Sequence, residues 1–203
     1  MSRRLAVLVT AVSIVGGGYG YAQESGATPG RVEATYIPGG GAFVTSKGAS
    51  PSFNNYGVGT VVTFNINPLI GIEGEVDGLI GTSSNLQIGN VPSSVTAPNA
   101  VTYTGNVVVS VPTHRSFVPY GTAGLGGLTM LERPGLGITS DETFFTGNFG
   151  GGVKWYAPNN RWGLRGDHRF TITQSKDDAS QFFGQDARYI HRVYGGVIIN
   201  TVR

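Results

Sequence analysis

Ile70-Gly71-Ile72-Glu73-Gly74-Glu75-Val76-Asp77-Gly78-Leu79-Ile80-Gly81 puts Ile70, Ile72, Gly74, Val76, Gly78 and Ile80 on one parity and Glu73, Glu75 and Asp77 on the other. Successive side chains of a strand point to opposite faces, so period two sets an apolar face back to back with a face bearing three carboxylates. The neighbouring stretches repeat the pattern. In residues 55–66, Tyr56, Val58, Thr60, Val62, Phe64 and Ile66 alternate with Asn55, Gly57, Gly59, Val61, Thr63 and Asn65. In residues 101–111, Val101, Tyr103, Gly105, Val107, Val109 and Val111 oppose Thr102, Thr104, Asn106, Val108 and Ser110. Residues 145–156 set Phe145, Phe149, Val153 and Trp155 against Thr146, Asn148, Lys154 and Tyr156. Residues 162–173 set Trp162, Leu164, Phe170 and Ile172 against Arg165, Asp167, Arg169, Thr171 and Thr173. Less sharply patterned segments at 31–45, 117–131 and 188–202 complete eight strands. No segment after residue 22 shows a 3.6-residue apolar period or an apolar run long enough to cross a bilayer as a helix.

The connections alternate in length. They are short at Asn67-Pro68, Thr113–Ser116 and Pro158–Arg161, and long and polar at 46–54, 82–99, 132–141 and 174–187. Tight turns at one end and long loops at the other are the pattern of an antiparallel meander closed in an outer membrane, with the tight turns in the periplasm. Closure follows from solvation, because an open sheet edge in lipid would leave backbone N–H and C=O groups unpaired. The expected fold is therefore an eight-stranded antiparallel up-and-down transmembrane β-barrel. Aromatics towards the strand ends, among them Tyr36, Tyr56, Phe64, Tyr103, Tyr120, Trp155, Trp162 and Tyr189, are read as interfacial girdles.

Composition agrees with this class. Glycine accounts for 33 of 203 residues and charged residues for 13%, against usual shares of about 7% and about 25%. Residues 1–22 have the form of a cleaved secretory signal: Arg3 and Arg4, the apolar stretch Leu5–Val15, then Gly20-Tyr21-Ala22. The barrel domain is expected over residues 23–203. Loss of Arg3 and Arg4 leaves 12 basic against 12 acidic residues. That balance gives no support for nucleic-acid binding. There is no cysteine to form a disulfide.

Phe117-Val118-Pro119-Tyr120-Gly121-Thr122-Ala123-Gly124-Leu125-Gly126 and Phe149-Gly150-Gly151-Gly152-Val153-Lys154-Trp155-Tyr156 carry a family resemblance, as does Arg161-Trp162-Gly163-Leu164-Arg165-Gly166-Asp167-His168-Arg169. Over most of residues 30–203 the chain resembles the small outer-membrane β-barrel family that includes the OmpA transmembrane domain and OmpX-like proteins. The resemblance implies outer-membrane lipid and lipopolysaccharide as surroundings, and the barrel-assembly machinery as a partner during insertion. The family commonly ends in an aromatic residue, whereas this sequence reads Thr201-Val202-Arg203.

With apolar faces turned to lipid, Glu73, Glu75 and Asp77 on the third strand and Arg165, Asp167 and Arg169 on the seventh point into the lumen. Lys154 on the sixth strand joins them, with Arg31 and Glu33 on the first as further candidates. Opposite strands of a small barrel are close enough for side chains to meet and fill the interior. These charges form either a structural ion-pair plug or the gate of a narrow channel, since buried charge is tolerated only when paired. The plug, in a non-enzymatic protein of structural or surface-interaction role, is the leading expectation. A porin-like gated channel is the alternative and a lipid A-modifying enzyme the third.

An enzyme would need a nucleophile beside an oriented base. His114-Arg115-Ser116 falls in a tight turn, His168 shares parity with lipid-facing residues, and His191 opens the last strand. Gly39–Gly41, Gly124, Gly126, Gly127 and Gly150–Gly152 match no phosphate-binding motif. No cofactor or metal site is expected. The segments 82–99 and 174–187, the latter with Phe182-Phe183, are candidate recognition loops for an extracellular ligand.

Overall fold

A computed structural model describes residues 29–46, 52–88, 91–113, 116–177, 179, 183 and 186–202. Residues 1–22 and His114 lie outside them. Ten strands follow in chain order: β1 (Val32–Ser46), β2 (Phe53–Asn65), β3 (Ile70–Gly81), β4 (Ser83–Ile88), β5 (Val91–Thr96), β6 (Ala100–Ser110), β7 (Phe117–Met130), β8 (Glu142–Tyr156), β9 (Trp162–Thr173) and β10 (Arg188–Val202). Eight of them close a barrel in the order β1-β2-β3-β6-β7-β8-β9-β10 and back to β1, and every pair is antiparallel. The ring leaves no free edge, which is what backbone polar groups in hydrocarbon require.

Side-chain alternation decides the two faces. Ile72 is 54% exposed and Leu125 60%, whereas Glu73 is 1% exposed and Arg169 0%. The outer wall is thus apolar and the inner wall polar, the reverse of a soluble barrel. The limits of the eight barrel strands agree with the sequence reading within three residues, the largest change being the start of β8 at Glu142 rather than 145.

Residues 82–99 differ from expectation. They do not form a loop: β4 and β5 pair as a separate two-stranded ribbon in the register Ser83↔Thr96 to Ile88↔Val91. The connection at 132–141 carries a short 3-10 turn, Pro134–Leu136, ended by Gly137 at φ 74.

The tight turns are built locally. Asn67 Oδ1 accepts from the backbone N–H of Leu69 and of Ile70, both at 2.8 Å, so the side chain supplies acceptors that the turn backbone lacks. Asn160 adopts φ 52 at the β8–β9 turn, a conformation asparagine tolerates.

One irregularity interrupts the wall. The β1–β10 register shifts between Tyr36 and Gly39, and the β1–β2 register between Ile37 and Gly40. Pro38 sits at the break and has no N–H to give to a ladder. Its carbonyl accepts instead from Tyr56 Oη at 2.9 Å. Gly39 leaves room for that hydroxyl, because a Cβ would lie 2.0 Å from it and displace the Tyr56 ring.

Candidate functional site: the barrel interior

Glu73, Glu75 and Asp77 occupy alternate positions of β3, and Arg165, Asp167 and Arg169 alternate positions of β9. β3 and β9 stand four places apart in a ring of eight, so these two sets face each other across the lumen. Arginine stems are long enough to cross it.

Arg165 Nη1 donates to Glu73 Oε2 at 2.7 Å, and Arg165 Nη2 to Asp167 Oδ2 at 2.6 Å. Arg169 reaches three carboxylates: Glu73 Oε1 from Nη2 at 2.6 Å, Asp167 Oδ1 from Nε at 3.2 Å, and Glu75 Oε2 from Nη1 at 2.5 Å. Arg192 on β10 continues the chain, with Nη2 2.8 Å from Glu75 Oε1 and Nη1 donating to Asp77 Oδ2. Towards the tight turns, Lys154 Nζ lies 2.5 Å from Glu33 Oε2, and Tyr156 Oη donates to Glu33 Oε1.

Neutral groups add donors to Glu73 and Asp167. Thr63 Oγ1 and Asn106 Nδ2 donate to Glu73 at 3.2 and 3.3 Å. Asn148 Nδ2 in turn donates to Asn106 Oδ1 at 2.9 Å. Tyr120 Oη donates to Asp167, and the Arg165 guanidinium lies 4.8 Å from the Tyr120 ring centre. Space for this packing comes partly from Gly59, where a Cβ would fall 2.0 Å from Asp77 Oδ1. A buried carboxylate that accepts from several cations and neutral donors avoids most of the penalty of leaving water.

All seven residues assigned to the lumen from the sequence are buried inside: Glu73, Glu75, Asp77, Arg165, Asp167 and Arg169 belong to one connected network with Arg192, and Lys154 forms a separate pair with Glu33. Glu33 joins them too. Arg31 does not: it precedes β1 and is exposed, because the chain has not yet entered the wall at that residue. Tyr120 is likewise an interior residue and not part of a girdle.

Two interior cations were missed, Arg188 and Arg192, although both share parity with buried Ile190, Tyr194 and Ile198. The outward alternation of Val193, Val197 and Ile199 already implied this. With them the interior holds, among the described residues, five acids, Glu33, Glu73, Glu75, Asp77 and Asp167, and five bases, Lys154, Arg165, Arg169, Arg188 and Arg192.

The long-loop mouth is built differently. Val44, Phe53, Leu79, Met130, Phe144 and Ile190 from the strands pack with Ile138 and Phe183 from the connections. Phe183 is 0% exposed, so it turns inward from a segment expected to project outward; Phe182 lies outside the described residues. Its ring meets Phe144 at 5.1 Å, nearly edge-on, and the Arg188 guanidinium stacks over it at 4.9 Å.

On the outer wall His168 Nε2 and His191 Nδ1 are 3.3 Å apart with stacked rings. Each imidazole can give the other the polar partner that lipid does not offer. Among the described residues no group of three or more His, Cys, Asp or Glu side chains is placed to hold a metal ion.

A closed antiparallel ring with apolar outer walls and a paired, charged interior defines the class of small membrane-spanning β-barrels. The family model "Outer membrane protein beta-barrel domain" matches residues 9–188, and the chain belongs to that family. The match stops at Arg188, the first residue of β10. No curated protein matches the sequence.

Among solved structures the fold is similar to the Neisserial surface protein NspA, with a TM-score of 0.58 and 15% identity over 83% of this chain and 95% of that one. It is also similar to the N-terminal barrel of Pseudomonas aeruginosa OprF, at 0.50 and 10% over 83% and 96%. Pseudomonas aeruginosa OprG gives 0.50 and 13% over 87% and 99%. At these identities the likeness is one of fold.

Proposed function

We propose that this protein is a non-enzymatic bacterial outer-membrane barrel whose interior is a structural plug, and whose role is architectural or one of surface interaction. Its tight turns face the periplasm and its long connections the cell exterior. Export through a cleaved signal at residues 1–22 and insertion by the barrel-assembly machinery belong to the same reading, as does contact with outer-membrane lipid and lipopolysaccharide. The observation that carries it is the run of contacts from Asp77 through Arg192, Glu75, Arg169, Glu73 and Arg165 to Asp167, which joins β3, β9 and β10 across the lumen.

The apolar cluster at the long-loop mouth adds a second closure. Support for a non-enzymatic role is that His168 and His191 contact each other on the outer wall rather than a serine. The β4–β5 ribbon and residues 174–187 are the elements assigned to surface recognition, carried on a rigid frame.

A gated channel is the second reading. It is favoured by the shared contacts of Arg169 and Glu75, each of which has more than one partner to exchange. Planar-bilayer recording separates the two. A plug predicts no current steps from the wild type, and silence in both the wild type and Arg165→Ala removes the gate. Steady conductance of the wild type overturns the plug.

A further inference from the structure

The mature chain is formally neutral, yet its charges are not evenly spread along the barrel axis. Arg31 immediately precedes β1 and Arg161 immediately precedes β9, and both are exposed. Their backbones are anchored to neighbouring strand ends, since the Arg31 carbonyl accepts from Asn65 N–H at 2.9 Å and the Arg161 carbonyl from Asn200 N–H at 3.0 Å. Both side chains therefore leave from fixed points at the rim. They also share a sector, because β10 is the strand between β9 and β1.

Among the described residues of this end, 29–31, 66–69, 111–113, 116 and 157–161, there is no carboxylate. The first acid inward, Glu33, is buried and engaged by Lys154 and Tyr156. The opposite end has the reverse balance. Among the described residues there, Glu132, Asp141, Glu142, Asp177 and Asp186 stand against Arg133 and Lys176, with Arg188 turned inside.

Depth comes from the outer wall next to the arginines. Trp162 adjoins Arg161 and meets Trp155 nearly edge-on at 5.4 Å, and Phe64 and Phe117 are exposed at the same end. Such aromatic bands sit at the boundary between hydrocarbon and headgroups. Guanidinium groups one step beyond that band are level with lipid phosphates, which their planar forks can bind in pairs of hydrogen bonds.

We propose that the tight-turn rim around Arg31 and Arg161 is a docking surface for anionic phospholipid headgroups, selecting phosphatidylglycerol-type lipid over zwitterionic lipid in the leaflet that it faces. The inference rests on the membrane-spanning reading above. Lipid phosphate is favoured over a peptidoglycan carboxylate because the arginines continue the aromatic band without a projecting loop between them.

The test is native mass spectrometry of the barrel purified from membranes in neutral detergent, with phosphatidylglycerol and phosphatidylcholine of the same acyl chains. The wild type binds phosphatidylglycerol preferentially, and Arg31→Gln with Arg161→Gln lowers that binding about tenfold, on the scale of surface attraction per basic residue. Arg133→Gln, at the other rim, leaves the preference unchanged.

A heat-dependent shift in gel mobility establishes that each variant is folded. Equal binding of the two lipids by the wild type, or undiminished phosphatidylglycerol binding by the double variant, overturns the proposal. So does co-sedimentation with peptidoglycan that is lost in the double variant while lipid binding persists. Failure of the membrane reading shows itself separately, as a wild-type protein found in the soluble periplasmic fraction.

Discussion

The waist and the mouth of this barrel enclose the same lumen but are held by opposite physics. At the waist Arg165, Arg169 and Arg192 thread between Glu73, Glu75, Asp77 and Asp167. At the mouth Phe53, Phe144, Phe183, Ile138 and Ile190 pack as they would in a soluble domain. Where lipid takes the apolar face of every strand, the inner face keeps the polar residues, and they are tolerable only as a mutually compensating set. Where connections fold back over the end, an ordinary oily core forms under them. Losses at the waist are therefore all-or-none through unpaired charge, whereas losses at the mouth scale with the volume removed.

The hardest blow to the waist is Arg169→Ala, which leaves Glu73, Glu75 and Asp167 each short of a cation. It is expected to destabilise the barrel by about 3–5 kcal/mol, read as a fall in the urea midpoint of unfolding. A loss below about 1 kcal/mol would erase the contrast. At the mouth, Phe183→Ala is expected to cost about 3 kcal/mol, felt mostly locally. The readout is faster proteolysis within 174–187 while the remaining barrel keeps its heat-dependent gel shift.

Replacing a whole pair sharpens the comparison further. Glu33→Gln with Lys154→Met removes both charges and leaves an acceptor for Tyr156, so stability should stay within about 1 kcal/mol of the wild type. Lys154→Met alone should fall well below it in the same titration. The smallest effect is expected at the wall irregularity, where Tyr56→Phe removes the donor to the Pro38 carbonyl. About 1 kcal/mol or less is expected, seen as a modest shift in the same midpoint.

Much of the inner wall was legible because strand parity is a local property. Once Ile72 and Val76 are set outward, Glu73, Glu75 and Asp77 must face inward, and the same rule applied to Val193 would have delivered Arg192 and Arg188. Parity failed where the chain had not yet joined the wall, at Arg31. It also misled at Tyr120, because an aromatic residue near a strand end suits a girdle and a lumen equally. The β4–β5 ribbon escaped notice because its polar, serine-rich strands lack a sustained apolar face.

Phe183 and Ile138 lie in aperiodic connections, where no spacing rule says which way a side chain turns. The break at Pro38 and Gly39 offered a sequence cue in the proline itself, but not its satisfaction by Tyr56 from the neighbouring strand.

From residue order alone come the eight strands of the barrel wall, their two faces and the alternation of short and long connections, since each depends on neighbours a few positions away. Tertiary structure alone decided which arginine meets which carboxylate, that the mouth is capped by Phe183 and Ile138, and that Arg31 and Arg161 share one sector of the rim. Those facts depend on ring closure and register, which bring together residues far apart in the chain, such as Glu33 and Lys154, 121 positions apart. No local period encodes a distance of that kind.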